Sequence, residues 1–247
     1  MRFLGNVLAT IVGLFLFSMI GFFGLLFIVA LAGSGSETVS VKDNSVIELD
    51  LSKVTNDYAG KSVYKDLDYF EEHHDGLSDV IRAIEAAQTD PNIKGISILN
   101  DQSQLGMAQS KALRDALEDF KQSGKFVYAY ANYYTQKEYY LNSVADVVYL
   151  NPIGEMDFKG LSSEIMFFKD LQEKSGIKVE VIRHGKYKSA VEPFLENKMS
   201  DANREQISAL LHSVWNATVA DISKNRNVSI ERLNQIANGL LARTPEM

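Results

Sequence analysis

The stretch YKSAVEPF, residues 187–194, contains the lysine with the clearest chemical potential in the chain. Lys188 follows a run that alternates like a strand, and Val191, Pro193 and Phe194 come soon after it. A lysine acts as a general base only when it is neutral, and full burial lowers the ordinary lysine pKa of about 10.4 by up to roughly 3–5 units. We therefore expect Lys188 to be at least half buried at a strand end, with a neutral amine that accepts a proton from a hydroxyl nucleophile.

Residue spacing alone leaves a second interpretation of Lys188 open. Lysines beside a tyrosine and a serine are commonly solvated, with their alkyl stems lying on apolar surface. In a strand, Lys186 shares the face of Lys188, so its charge either favours the neutral form of Lys188 or indicates that both are solvated. Ser189 lies on the opposite face of such a strand, and it is not expected to be the nucleophile.

Other residues with chemical potential have simpler explanations. The run EEHHDG, residues 71–76, is more typical of a solvated charged segment than of a metal site, because a metal site needs fixed ligand geometry. We predict that His184 is a surface residue at a strand end and that His212 is structural. Trp215 is predicted to be a core or interface aromatic residue.

The composition excludes several classes of function. The net charge is −7, and the sequence pI is about 5.2, which argues against a general nucleic-acid-binding protein. Cysteine is absent, so disulfides, thiolate zinc sites and cysteine nucleophiles are excluded. The sequence also has no glycine-rich phosphate loop, nucleophile elbow or zinc-protease motif. Hydrophobic residues make up 46% of the chain, enough for a sizeable folded core.

The N-terminal residues have the composition of a membrane anchor. No charged residue occurs from Val7 to Ala32, and about 20 apolar residues are enough to cross a bilayer as a helix. A cleaved signal peptide is the competing interpretation, but its apolar region usually covers only about 7–15 residues. With Arg2 before the span and Lys42 the next basic residue after it, the positive-inside rule places the N-terminus in the cytoplasm. Everything after residue 33 is then expected on the other side of the membrane.

The remaining chain divides into a tether and one α/β domain. Residues 1–32 form the cytoplasmic tip and anchor, 33–45 a flexible tether, and 46–247 the folded domain. Residues 53–75 are predicted to be an irregular surface excursion. Strands are predicted at 45–52, 93–99, 125–131, 146–150 and 177–183, and helices at 76–90, 107–124, 135–145, 160–176, from 200 onward and from about 229 onward. This alternation predicts βα units and a mostly parallel sheet.

Three segments resemble a known family of membrane proteases. They are the N-terminal anchor, residues 123–161 and residues 185–206, which contain the specific YKSAVEPF sequence. All three closely resemble the long form of bacterial signal peptide peptidase A. The resemblance implies a crotonase/ClpP-like fold, a spiral of βα units, and cleavage of residual signal peptides at the membrane by a serine–lysine dyad. It implies no cofactor or metal.

The resemblance assigns the general-base role to Lys188 and leaves the nucleophile unassigned. In short-form relatives a serine precedes two glycines, and the matching positions here are Gln136, Lys137 and Glu138. Long-form members have two homologous halves, of which the first supplies the lysine and the second the serine. This chain resembles the first half. Because it stops at GLLARTPEM, where the family continues, we expect a truncated chain that is inactive alone.

The resemblance also implies partners and a location. The family forms a homotetramer, and the tyrosines at 133, 134, 139 and 140 would then either line a subunit interface or pack internally, with internal packing favoured for the second pair. The expected location is the bacterial inner membrane, with the domain on the periplasmic side and apolar peptides as substrates. The main alternative is a catalytically inactive assembly module of the same fold. An acyl-CoA enzyme is disfavoured because the anchor places the domain away from cytoplasmic thioesters.

Overall fold

The computed structural model describes residues 2–33, 40–58, 75–99, 103–182 and 184–246. The chain separates into two compact units. One unit contains the N-terminal helix, α1, Arg2–Gly33, and the other contains the α/β domain. Residues 71–74 of the disfavoured metal segment and most of the predicted excursion at 53–75 lie outside the described residues.

Helix α1 confirms the predicted apolar helix at the N-terminus. Its segment Arg2–Ile28 contains 27 residues with a mean hydropathy of 2.6, which is long and apolar enough to cross a membrane. The orientation of the helix and its retention in the mature protein remain predictions from the charge and length of the segment.

The α/β domain contains most of the predicted strands and helices in the predicted order, with two wrong elements given below. Three short elements were not predicted: strands at Val54–Asn56 and Asp75–Gly76, which pair in parallel at the ends of the supposedly irregular excursion, and a helix at Glu192–Leu195. A 3₁₀ turn, Leu51–Lys53, follows the first strand, Ser45–Asp50. The described strands are β1 (Ser45–Asp50), β2 (Val54–Asn56), β3 (Asp75–Gly76), β4 (Ile93–Leu99), β5 (Phe126–Tyr134) and β6 (Val147–Met156). The remaining helices are α2 (Leu77–Thr89), α3 (Met107–Lys121), α4 (Gln136–Asn142), α5 (Lys169–Ser175), α6 (Glu192–Leu195), α7 (Asp201–Arg226) and α8 (Ile230–Gly239).

Four of the described strands form an all-parallel sheet in the order β1-β4-β5-β6, as predicted. Its in-register rows place Leu49 beside Ile98, Ile98 beside Ala129, and Ala129 beside Val148. These side chains, together with apolar residues of α2, α3 and α4, form the main core of the domain. Leu77, Val80, Ile81 and Ile84, which recur at helical spacing along α2, all contribute to this core.

The opposite face of the sheet is aromatic and largely open. Tyr128, Tyr130 and Tyr149 alternate with the core residues of β5 and β6 and are 40–52% exposed. The Phe126 ring stacks on Tyr128 and lies over Gly95, where a Cβ atom would come within 2.5 Å of the ring. Parallel sheets are usually covered on both faces, whereas the described helices α2, α3 and α4 pack on one.

A second, smaller apolar cluster joins α4 to the C-terminal helices. Its buried members are Tyr140, Phe158, Val219, Ile222, Leu233 and Ala237, with Tyr139 and Trp215 packed against them. The predicted internal packing of Tyr139 and Tyr140 is therefore confirmed. Tyr134 is also buried, whereas Tyr133 is 43% exposed.

A buried guanidinium connects the two clusters. Arg114 of α3 is 1% exposed and donates hydrogen bonds to the Tyr140 carbonyl, to Ser143 Oγ at 2.8 Å, and to the Asp221 carbonyl and Asn225 Oδ1 of α7 at 2.9 and 2.5 Å. The Tyr140 hydroxyl donates to Asp221 Oδ2 at 2.8 Å. Burial lowers the pKa of Arg114, and nearby Tyr140 and Asp221 counteract that shift. Burial, and then the hydrogen bond to Asp221, raise the pKa of Tyr140.

Two predicted elements in the region before Lys188 are wrong. The helix predicted over 160–176 forms only at Lys169–Ser175, although it ends at Gly176, with φ of +72°, as predicted. Met166 is 74% exposed, so the first part of that segment lacks the tertiary packing that stabilises short helices. Residues 177–182 are not a strand, because no described strand pairs with them, and Ile182 is fully exposed.

Helices α7 and α8 begin where the sequence predicts. Ser200 and Ser229 are their N-caps, and each side chain accepts a hydrogen bond from the backbone three residues on. Ile207, Leu210, Leu211 and Val214 recur at helical spacing along α7 but belong to neither core cluster. Leu210 is 63% exposed, whereas Thr218, Val219 and Ile222 on the second half of the helix are buried.

We expect Arg114→Met to lower the free energy of unfolding by about 3 kcal/mol, because buried acceptors on α4 and α7 lose their donor. Urea titration of the detergent-solubilised chain, followed by the fluorescence of its single tryptophan, measures this change. Arg82→Met is the matched control. Arg82 is exposed and, among the described residues, pairs with Asp79 one turn away, so we expect a loss of about 0.5 kcal/mol or less. Equal losses in the two variants would contradict the structural role of Arg114.

Candidate active site around Lys188

Lys188 lies in a tight turn rather than at the end of a strand. It immediately precedes the 3₁₀ turn Ser189–Val191, which continues into α6. Gly185, with φ of +98°, redirects the chain just before it. The side chain of Lys188 is exposed. The prediction that Lys188 is at least half buried is therefore wrong. The predicted strand that placed Ser189 on the face opposite Lys188 is wrong as well.

Glu192 attaches the downstream side of this turn to α7. Its side chain is 3% exposed. Oε1 accepts a hydrogen bond from Ser200 Oγ at 2.5 Å, and Oε2 accepts from Asn203 Nδ2 at 2.9 Å and from the Ser200 backbone at 3.3 Å. A carboxylate at a helix N-terminus also interacts favourably with the helix dipole.

The upstream side of the turn also contacts α7. The Tyr187 hydroxyl donates to Glu205 Oε2 at 3.3 Å, and Lys186 Nζ lies 3.9 Å from the same oxygen. These groups are exposed, so the contacts are individually weak. Together with Glu192, they mean that the chain contacts the first turns of α7 both before and after Lys188.

An apolar groove adjoins the turn. It has a volume of about 590 Å³ and is lined by Ile165, Ser189, Ala190, Pro193, Asn203, Gln206, Ile207 and Leu210. Pro193 also fixes the loop before α5, because its carbonyl accepts a hydrogen bond from the Phe168 backbone at 2.6 Å. The Phe168 and Phe194 rings stack with centroids 6.0 Å apart. The exposed lysine therefore lies next to a surface suited to an apolar chain segment.

The three positions that match the short-form serine and glycines have structural roles on α4. Glu138 is 3% exposed and accepts hydrogen bonds from the Ser103 and Thr135 backbones, both at 3.0 Å. Lys137 Nζ donates to the Ser103 and Leu105 carbonyls at 3.1 and 2.5 Å. These bonds fix the loop that precedes α3.

Gln136 fixes a second loop, after β6. Its Oε1 accepts hydrogen bonds from the backbones of Lys159 and Gly160, at 3.1 and 2.7 Å, and its Nε2 donates to the Gly160 carbonyl at 3.2 Å. Two successive backbone N–H groups thus converge on one side-chain oxygen. A nucleophile is absent from these three positions, as the sequence predicts.

The other residues considered from sequence have varied surroundings. His184 is exposed, as predicted. The exposed His212 ring contacts the Ser208 carbonyl at 2.8 Å and lines a separate pocket of about 270 Å³ between α7 and α8. Trp215 packs on Phe158 and donates to Asn234 Oδ1 at 2.8 Å, which confirms its core role. Among the described residues no group of three or more metal-ligating side chains occurs.

Sequence reasoning missed the network formed by Glu192, Ser200 and Asn203. One signal was available, because Glu192 is an acidic residue between the apolar Val191 and Pro193. A charged side chain in such surroundings is usually paired when it is buried. Its partners on α7 were not predictable from spacing, since 8 and 11 residues separate them from Glu192.

The family model and the similar known proteins indicate the same family. Peptidase family S49 matches residues 119–243, which include α4, the Lys188 turn and all of α7 and α8. Protease 4 from Haemophilus influenzae is 41% identical over 165 residues, 66% of this chain and 27% of that protein. Protease 4 from Salmonella typhi is 36% identical over 64% of this chain and 26% of its own length.

The similarity extends to a plant relative. The chloroplastic serine protease SPPA of Arabidopsis thaliana is 31% identical over 153 residues, 60% of this chain and 23% of that protein. The chain therefore spans about a quarter of the length of each of these three curated relatives.

We expect Glu138→Ala to lower the free energy of unfolding by about 2–3 kcal/mol, because the Ser103 and Thr135 amides lose their acceptor. Urea titration measures the loss, and hydrogen exchange at the two amides localises it. Glu173→Ala, at an exposed position of α5, is the control and should change stability by less than about 0.5 kcal/mol. Unchanged protection of both amides in Glu138→Ala would refute the structural role of this carboxylate.

Proposed function

Because the chain belongs to Peptidase family S49, we propose that it is the membrane-anchored, lysine-bearing part of a serine endopeptidase, with Lys188 as general base. Its family membership and its Protease 4 relatives support the broader class of protease. The serine–lysine mechanism, the residue assignment and the substrates are our proposal.

One observation carries the proposal: Lys188 is presented by a turn with contacts to α7 on both sides, beside an apolar groove of about 590 Å³. A general base must be held within hydrogen-bond reach of the proton that it takes. An apolar groove next to that base suits the apolar residues of a signal-peptide remnant. Both features lie within the region that matches the family.

The proposed nucleophile is a serine outside residues 1–247. The α4 positions that match the short-form serine and glycines are occupied by Gln136, Lys137 and Glu138, each with a structural role. General-base catalysis by a lysine is favoured by apolar surroundings, so the proposed serine-bearing segment brings both the nucleophile and apolar surface to the exposed Lys188. The exposed Leu210, which lines the groove, provides apolar surface near the turn for such docking.

The proposed location is the bacterial inner membrane, with the domain on the periplasmic side. The apolar helix α1 and the Protease 4 relatives are consistent with a membrane-anchored bacterial protein. A site near the bilayer suits apolar peptides that remain in the membrane after processing. Assembly as a homotetramer is part of the same proposal.

The alternative is a catalytically inactive module that assembles other subunits at the membrane. The structural use of all three α4 positions favours it, because this chain lacks a nucleophile there. Cleavage that depends on Lys188 separates the two functions.

We expect Lys188→Ala to lower kcat/KM for an apolar signal-peptide-like substrate by about 100-fold or more, because general-base catalysis contributes roughly 10²–10⁴-fold. The protein is expressed from its own chromosomal locus, with whatever follows residue 247, and is purified in detergent. Lys198→Ala, at an exposed position after α6, is the matched control and should retain full activity. Tryptophan fluorescence verifies that both variants are folded.

Two results would overturn the protease proposal. Equal cleavage by the wild type and by Lys188→Ala would remove the base assignment. No cleavage by the folded wild-type protein would favour the assembly module.

A further inference from the structure

We propose that Glu192 is a positioning residue for Lys188, which it holds through a buried carboxylate contact to the start of α7. This inference rests on the proposed function, because it concerns the base of the same reaction. Glu192 does not itself touch the substrate, and holding the Lys188 turn gives a reason for the burial of its side chain.

The first argument is the unusual environment of the Glu192 carboxylate. Glutamate is almost never fully buried unless it is paired, and here both carboxylate oxygens accept hydrogen bonds from a single helix terminus. The surrounding surface is otherwise open: Phe194 is 43% and Tyr187 47% exposed. This carboxylate is the buried point of attachment between the turn and the start of α7.

The second argument is the direct backbone connection between the two residues. Glu192 lies four residues after Lys188, and its backbone N–H donates to the Ser189 carbonyl, which closes the 3₁₀ turn. Its own carbonyl accepts from the Glu196 backbone, which closes α6. The Glu192 carboxylate therefore fixes the residue that joins the 3₁₀ turn to α6. Lys188 immediately precedes that 3₁₀ turn.

The third argument concerns the weakness of the other attachments. On the upstream side, Lys186 and Tyr187 reach Glu205 only by exposed contacts of 3.9 and 3.3 Å. Exposed pairs of this kind stabilise little. Without the Glu192 carboxylate, the turn would keep these exposed contacts to α7, whereas its hydrogen bonds from the Phe168 backbone and from Gln172 and its Phe168–Phe194 stacking lead to α5. Lys188 would then sample positions outside hydrogen-bond reach of the nucleophile.

The test compares Glu192→Met with Glu192→Gln in the chromosomally expressed protein. Methionine keeps the length of the side chain but removes all three contacts, so we expect kcat to fall about tenfold or more with KM changed less than about twofold. Glutamine restores an acceptor for Asn203 and a donor for the rotatable Ser200 hydroxyl, so we expect activity within about threefold of wild type. Glu196→Met, at an exposed position one turn on, is the matched control and should behave as wild type.

The pH profile of kcat separates positioning from a folding defect. A smaller folded fraction lowers kcat equally at every pH, whereas a displaced base also moves the midpoint of the profile, by about half a pH unit or more. Hydrogen exchange should show faster exchange confined to residues 189–196 and the first turn of α7. Should Glu192→Met fail to fold, Asn203→Ala replaces it, since it removes one of the three contacts and should give a smaller change of the same kind.

The outcomes distinguish this inference from the proposed function. If Lys188→Ala is inactive while Glu192→Met matches wild type, the positioning role is wrong and the protease proposal stands. If Glu192→Met lowers kcat without moving the pH midpoint, Glu192 is only structural. If Lys188→Ala is fully active, the protease proposal itself fails.

Discussion

The buried guanidinium of Arg114 is the interaction on which the arrangement of this domain depends. It lies where the core beneath the parallel sheet meets the smaller cluster of α4, α7 and α8. Its donors bind acceptors on both α4 and α7, and Tyr140 completes the network through Asp221. A charge this deeply buried is tolerated only when its hydrogen bonds are satisfied. The relative positions of three helices therefore depend on a single side chain.

Helix α7 connects the hydrogen-bond network of Arg114 to the candidate site. Its second half is buried and bonded to Arg114, whereas its first half has exposed apolar residues and holds the lysine-bearing turn through Ser200 and Asn203. About 18 residues separate Asn203 from Asp221, or about 27 Å along a helix. The position of Lys188 is thus determined at one end of a long helix, while the helix itself is anchored at the other.

The domain has two kinds of surface that its described residues leave open. One is the aromatic face of the sheet, with Tyr128, Tyr130 and Tyr149. The other is the apolar groove beside the Lys188 turn, which includes Leu210. An open apolar groove next to an exposed lysine is the arrangement behind our proposal that another segment completes the site.

The sequence by itself determined the elements whose signals are local. Ser200 and Ser229 cap their helices, Gly176 ends α5, and the alternation of strands with helices predicts the parallel sheet. The family resemblance of residues 123–161 and 185–206 was visible in the same way, since it lies in contiguous residues.

Only the tertiary structure decided the features that need a distant partner. Residues 177–182 alternate like a strand but have no described neighbour to pair with, and the apolar start of the predicted helix at 160–168 has no core to cover it. Burial is likewise a property of neighbours, so Lys188 is exposed despite its apolar sequence context, whereas Glu192 is buried despite its charge. Local propensity sets turns and caps, but pairing, burial and the electrostatics of a site depend on residues far apart in the chain.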